Sequence, residues 1–256
     1  MSDFSELNGL RIGCVRYLNS KPLIHAYPGP VYFDHPSVLA LMLAAGDLDL
    51  ALIPIFEAIR THDYRLVDEV AIASLGAVYS VFLAFTGDLN AVRKIKRDPA
   101  SLTSVNLLEV LLREFHGIQP ELVGSNESDE SDGCAQLLIG NQAIEFRRNN
   151  GEQFQYLDLG QEWMRCTGLP FVFAAWALRR GIAPGAADAI RRLKAASMAG
   201  LEEIIGREAD PAFARDYLTQ KIRFGLGEEE KRGISLFSEL LEKHGLCAPP
   251  AKLEYV

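Results

Sequence analysis

Apolar and polar side chains alternate near the start of the chain, and then the pattern breaks. Residues 11–17 (RIGCVRY) alternate as a half-buried strand does. Asn19, Ser20, Lys21 and Pro22 follow as a polar turn, with the proline suited to the first turn of a helix. A short strand is expected at 30–33 (PVYF). A helix is expected over 35–46, with Ser37 as a cap, Leu39, Leu41, Met42 and Leu43 as its face, and Gly46 at its stop. Residues 49–55 (DLALIPI) read as a strand covered on both faces. This β-α-β-α-β order predicts a mostly parallel sheet with right-handed crossovers.

Residues 71–87 give two strand-like runs around Gly76, and the second, 78–85, is nearly all apolar or aromatic. A second α/β unit begins near residue 91. Ser101 or Thr103 can cap a helix whose apolar face is Val105, Leu108, Leu111, Leu112 and Phe115, with Gly117 ending it. Strands at 120–123 and 134–140 flank an acidic loop at 125–133, and 171–180 is another long apolar strand. From 184 onward the pattern is helical, over 184–206, 211–220 and 228–244, with no sheet pattern of its own. The two long strands bracket the middle unit, and the helical tail has only the first unit to pack against. The expected architecture is α/β, with two lobes, two mixed sheets and a cleft between them. Residues 1–87 and 176–256 would form the first lobe and 88–175 the second, with hinges near 86–87 and 174–176.

The chain has 256 residues, enough for two modest cores, and a formal net charge of −8. That charge argues against a nucleic-acid or anionic-membrane partner but leaves room for a locally positive pocket. Four scattered cysteines without a C-x-x-C pair predict free thiols, and five histidines without ligand spacing predict no metal site. The polar, acidic N-terminus lacks the pattern of a secretory signal, and no apolar run approaches the ~18 residues of a membrane span. A cytoplasmic location is therefore expected. P-loop, G-x-G-x-x-G, G-x-S-x-G and H-E-x-x-H motifs are absent from the sequence. Nothing in the pattern sets an oligomeric state.

Ligands of parallel α/β sheets sit beyond the carboxyl ends of strands, near helix starts. The polar residues expected there are Asn19 and Ser20 after the first strand, Glu57 after the third, and Ser80 in the crossing strand. Ser101, Thr103 and Ser104 stand at a helix start, Asn141 follows LIG, and Thr167 and Gly168 precede the last long strand. This set is rich in hydroxyls and amides and poor in titrating groups. Two helix starts facing each other would suit a small dianion. Each residue also reads as an ordinary cap, worth ~1 kcal/mol. Ser80 stands out because it interrupts a bulky apolar strand. The residues alone leave open whether the cleft belongs to a binding protein or an enzyme.

RIGCVRYLNSKPL, GDLDLALIPIFE, SLTSVNLLEVLL, LLIGNQA and DLGQEWMRCTGLPFVFAAWA occur in an order and spacing that resemble the chorismate dehydratases of the futalosine route to menaquinone, over about 11–177. GDLDLAL alone is common among two-lobed binding proteins; YLN together with the W-x-x-x-T-G-L-P-F-V-F-A-x-W element is specific. The resemblance implies a fold like the type II periplasmic binding proteins and loss of water from chorismate without a metal or organic cofactor. It places Asn19 and Ser80 at the reacting centre, and Ser20, Ser101, Thr103, Ser104, Asn141, Thr167 and Gly168 as substrate-binding. Two departures stand in this chain. Leu102 occupies the place of the family's usual arginine, for which Arg16 or Lys21 would have to substitute, and Asn141 occupies the place of its usual aspartate. The rival expectation is a non-catalytic binder of small carboxylates with the same fold.

Overall fold

Short apolar runs separated by helices of similar length favour strands that are covered from both sides, and the chain builds two such layers. The computed structural model describes residues 4–61, 63–97, 101–124, 134–249 and 252–256. Strand β1 (Ile12–Cys14) is followed by a 3-10 turn at Leu18–Ser20 and helix α1 (Lys21–Ile24). Then come β2 (Tyr32–Phe33), α2 (Pro36–Ala45), β3 (Leu50–Pro54), α3 (Ile55–Arg60) and β4 (Tyr64–Ser74). The middle of the chain gives β5 (Val81–Phe85), β6 (Lys94–Lys96), α4 (Thr103–Val110), β7 (Glu121–Val123), β8 (Cys134–Ile139), α5 (Gly140–Asn150), β9 (Gln155–Asp158) and α6 (Leu159–Thr167). Strand β10 (Phe171–Arg179) leads into α7 (Gly185–Ala199), α8 (Leu201–Gly206), α9 (Pro211–Asp216), α10 (Glu228–Lys243) and β11 (Glu254–Tyr255).

Six strands form the first sheet, in the order β11-β4-β10-β3-β1-β2, and five form the second, β7-β6-β8-β5-β9. Strands β1, β2 and β3 are parallel, as the β-α-β-α-β pattern requires, whereas β10 runs antiparallel to both β3 and β4. In the second sheet β6 is parallel to β7 and β8, and β5 is antiparallel to β8 and β9. The fold is thus α/β with two mixed sheets.

Several elements differ from the sequence expectation. Strand β1 stops at Cys14 rather than at 17, because the turn that carries Asn19 and Ser20 folds back on it: Ser20 Oγ donates to the carbonyls of Val15 (2.6 Å) and Tyr17 (2.8 Å). Helix α2 takes His35, not Ser37, as its N-cap, with Pro36 in its first turn. The tail does enter a sheet, since β11 pairs parallel with β4 and Arg223 bridges to Ala73. Strands β6 and β9, three and four residues long and mostly polar, carry no apolar alternation to read. The acidic loop expected at 125–133 lies outside the described residues.

The sheets also fix where the chain passes from one to the other. Strand β5 lies wholly in the second sheet and β10 wholly in the first. The passages are therefore 75–80 and 168–170, earlier than the expected hinges at 86–87 and 174–176, and the lobe boundaries drawn at 87 and 176 move with them. Apolarity alone cannot tell which sheet a buried strand joins; the pairing partners decide it.

Candidate functional site

The first passage is an unusual piece of backbone. Tyr79 sits at φ 67°, in the left-handed region that side chains other than glycine rarely adopt. It is held there by Asp158, the N-cap of α6. One carboxylate oxygen accepts from the N–H groups of Val78 (3.0 Å) and Gln161 (3.0 Å), and the other from Tyr79 N–H (2.7 Å). Burial pushes the Asp158 carboxyl above its usual range, and the three N–H donors pull against that shift. Asp158→Ala is expected to cost about 3 kcal/mol in chemical unfolding, because it frees buried N–H groups at a strained turn. A midpoint shift no larger than that of an exposed Asp→Ala control would refute the anchor.

The strained turn delivers Ser80 to the cleft. Here the two sheets leave a cavity whose polar lining is Tyr17, Asn19, Ser80, Ser101, Thr103 and Ser104. Val15, Leu52, Ile53, Ile72, Val78, Val81 and Phe173 supply apolar walls. Among the described residues, every lining side chain is neutral: no Asp, Glu, Lys, Arg or His is among them. Asn19 comes from the turn after β1, Ser80 from the passage into β5, and 101–104 from the start of α4. Groups from three separate parts of the chain thus meet in one cavity. Asn19 Oδ1 and Ser101 Oγ are buried and have no hydrogen-bond partner among the described residues.

The start of α4 is not capped in the expected way. Leu102 is the N-cap residue and offers no side-chain acceptor. The Thr103 hydroxyl instead accepts from Phe56 N–H (3.2 Å), at the start of α3. The N-cap position of α4 therefore supplies no side-chain bond to the first N–H groups at the cavity wall, and the helix dipole adds a favourable field for negative charge. The helix continues as a π-helix over Leu111–His116, which extends that dipole.

The remaining expected residues lie elsewhere. Ser20 is buried in the turn by its two carbonyl bonds and borders a separate groove. Asn141 does not line the cavity: its Oδ1 accepts from Leu18 N–H (3.1 Å) and its Nδ2 donates to the Arg16 carbonyl (3.4 Å). It clasps the Asn19 turn from across the cleft, a task for which an amide suffices. Thr167 and Gly168 form the end of α6. Thr167 Oγ1 donates to the Trp163 carbonyl (2.8 Å), and Gly168 takes the left-handed cap conformation at φ 72°. Glu57 is buried but paired with Arg60 (2.7 Å). Nor do Arg16 and Lys21 reach the cavity. Both line the neighbouring groove, Arg16 stacked on Phe33 (4.9 Å) and Lys21 paired with Glu208.

Three residues at the site escaped the sequence reading. Tyr17 looked like a strand position. Gly140, φ 64°, opens α5 against the Tyr17 ring, where an added Cβ would lie 2.9 Å from the ring carbons. Tyr217 reads as one more core aromatic of the helical tail, yet its phenol is 2.7 Å from Ser80 Oγ. Among the described residues, no group of three His, Cys, Asp or Glu side chains is placed to hold a metal, and no helix is long and apolar enough to cross a membrane.

Two mixed sheets joined by two passages, with a polar cleft between them, define a two-lobed protein of the periplasmic-binding-protein type. Solved structures of the same shape include a protein from Archaeoglobus fulgidus (TM-score 0.73, 17% identity, 93% of this chain and 98% of that one). A Candida albicans protein described as having the generic periplasmic binding protein fold matches with TM-score 0.61 and 13% identity (93% and 90% covered). The periplasmic aliphatic sulphonate binding protein of Escherichia coli matches with TM-score 0.55 and 18% identity (96% and 93%). At the level of sequence, residues 10–243 match the family described as menaquinone biosynthesis. A protein of Thermus thermophilus named chorismate dehydratase is 31% identical over 260 residues, covering 90% of this chain and 94% of that one. The chain belongs to the menaquinone-biosynthesis family.

Proposed function

We propose that this protein is a cytoplasmic lyase that removes water from chorismate to give 3-[(1-carboxyvinyl)oxy]benzoate. The observation that carries the reading is the convergence of Asn19, Ser80 and the start of α4 on one cavity whose described lining includes no Asp, Glu, Lys, Arg or His. The relative named chorismate dehydratase covers the same stretch of chain.

Chorismate is a small dianion. The ring carboxylate fits the N–H groups and hydroxyls at 101–104, where the helix field favours negative charge. The reaction breaks the ring C3–H and C4–O bonds and makes the ring aromatic. Because C3 is conjugated through a ring double bond to the ring carboxylate, negative charge left by the departing proton spreads onto that carboxylate. Donors fixed there stabilise the developing charge without needing to reorganise. Among the described residues, no Asp, Glu, Lys or His lines the cavity, which supports the carboxylate of the enolpyruvyl arm as the proton acceptor. The C4 hydroxyl leaves as water, taking up a proton, with Asn19 and Ser80 as its hydrogen-bonding partners. The protein's contribution is to hold the reactive conformer and the charge.

The test is incubation of the purified chain with chorismate, following loss of the cyclohexadiene absorbance and appearance of the substituted benzoate by chromatography. Turnover without added metal is expected, unchanged by a chelator. Tight chorismate binding with no product would replace the enzyme by the binding protein.

A further inference from the structure

Tyr217 lies behind the cavity wall, in a single π-helical turn over Tyr217–Lys221 that continues α9. Such turns are rare and frequently accompany functional sites. Its side chain is 1% exposed and stacks on Phe213 (5.6 Å between centroids, 11° between planes). Its phenol meets Ser80 Oγ at 2.7 Å, although the residues are 137 apart in sequence and Ser80 itself is fully buried. Tyr217 does not line the cavity, whereas Asn19 and Ser80 both do.

We infer that Tyr217 is a positioning residue for the dehydration: its phenol donates to Ser80 Oγ and thereby turns the Ser80 hydroxyl proton towards the substrate. This inference rests on the dehydratase reading above. Asn19, whose buried Oδ1 has no hydrogen-bond partner among the described residues, lines the same cavity as Ser80. The phenol has one proton to give, and Ser80 Oγ at 2.7 Å is within reach of it. Ser80 Oγ, having accepted it, must send its own proton elsewhere. No second partner for Ser80 Oγ is found among the described residues, and Ser80 lines the cavity, so the proton is directed there.

The chain of bonds then runs from Tyr217 to Ser80 and on to the ligand. It leaves the cavity with an aligned pair, the Ser80 O–H as donor and Asn19 Oδ1 as acceptor. A departing hydroxyl needs both, since its oxygen gains charge while its proton still seeks an acceptor. Burial pushes the Tyr217 phenol well above its usual pKa, so it keeps its proton throughout the neutral range. The device also spans the fold: Asn19 belongs to the first sheet's β1 turn, Ser80 to the passage into the second sheet, and Tyr217 to the helical tail.

Tyr217→Phe removes the one hydroxyl and keeps the ring that stacks on Phe213. Steady-state kinetics with chorismate should show kcat lowered roughly 10-fold or more, as for loss of an oriented hydrogen bond in the transition state. KM should stay within about 2-fold, because carboxylate binding is made by other groups. A cooperative thermal transition verifies that the variant is folded. The readout that a merely structural tyrosine would not move is the cycle with Ser80→Ala. In that background, adding Tyr217→Phe should change kcat by less than about 2-fold, since the group it orients is gone. Wild-type kcat in Tyr217→Phe, or a full additional loss in the double variant, overturns the inference while leaving the dehydratase reading intact. A wild-type chain that does not convert chorismate removes the dehydratase reading, and this inference with it.

Discussion

Ser80→Ala and Asn19→Ala should each lower chorismate turnover roughly 100-fold or more, the loss seen when one fixed donor to a developing oxyanion is removed. The expectation follows from the poverty of the cavity: with no charged side chain in its lining among the described residues, these two groups and the helix start carry the polar work. The two variants should part company in stability. Ser80 is fully buried and bonded to Tyr217, so its loss strands a buried phenol and should cost about 1–3 kcal/mol. Asn19 Oδ1 has no hydrogen-bond partner among the described residues, so that half of the amide contributes nothing to the fold, and its replacement should cost less, about 1 kcal/mol. Paired measurements of kcat and of urea unfolding separate the two effects. Near-wild-type turnover in both variants would remove the site.

Gly233→Ala is the change expected to damage the fold most. In an exposed helix this substitution gains about 1 kcal/mol from helix propensity. Gly233 lies in the middle of α10, where a Cβ would stand 2.2 Å from the Pro170 carbonyl oxygen, in the second passage between the sheets. That oxygen also accepts from Trp163 Nε1 (3.3 Å), so it has little freedom to withdraw. The helix and the passage must separate, at a cost of about 3 kcal/mol. For a chain of this length that corresponds to a fall of roughly 6–10 °C in Tm. Gly160 makes the matching contact with the first passage, its Cβ position lying 2.6 Å from the Gly76 carbonyl and 2.4 Å from Ser74 Oγ. Gly206, at the end of α8 with open space around it, is the control and should tolerate alanine. A melting temperature for Gly233→Ala equal to that of Gly206→Ala would show that the passage is not packed as described.

Both glycines bear on function, because the passages present the site. The first carries Ser80 on its strained Tyr79 turn, pinned by Asp158, and the second sits against α10. Sequence reasoning found the strands on either side of each passage but placed the crossings within or beyond them. A run such as 78–85 is apolar whether it belongs to one sheet or links two. The hydroxyls of 101–104 were legible as a helix start, since Ser and Thr before an apolar periodic run have few other meanings. That the Thr103 hydroxyl would spend itself on Phe56 N–H, rather than on its own helix, was not legible, because the partner lies 47 residues away.

Asn141 shows the same limit in another form. It stands at a helix start after a strand, as a ligand-binding residue would, yet its amide clasps the backbone of Arg16 and Leu18. Thr167 and Gly168 resemble cleft residues by their motif and are the end of α6 by their geometry. In each case the local chemistry was read correctly, as a polar group at an element's end, and the direction in which it points was not.

What the sequence by itself determined is what depends on near neighbours: the helices with glycine stops, the buried strands, the α/β class, and the presence of hydroxyls and amides at strand ends and helix starts. Only the tertiary structure decided which of these groups share a cavity, that among the described residues no charged side chain lines it, and that a tyrosine from the helical tail stands behind Ser80. The reason is physical: periodicity and capping act over a few residues, whereas the cleft is closed by hydrogen bonds between groups 47 to 137 positions apart, whose meeting is set by how whole sheets and helices pack.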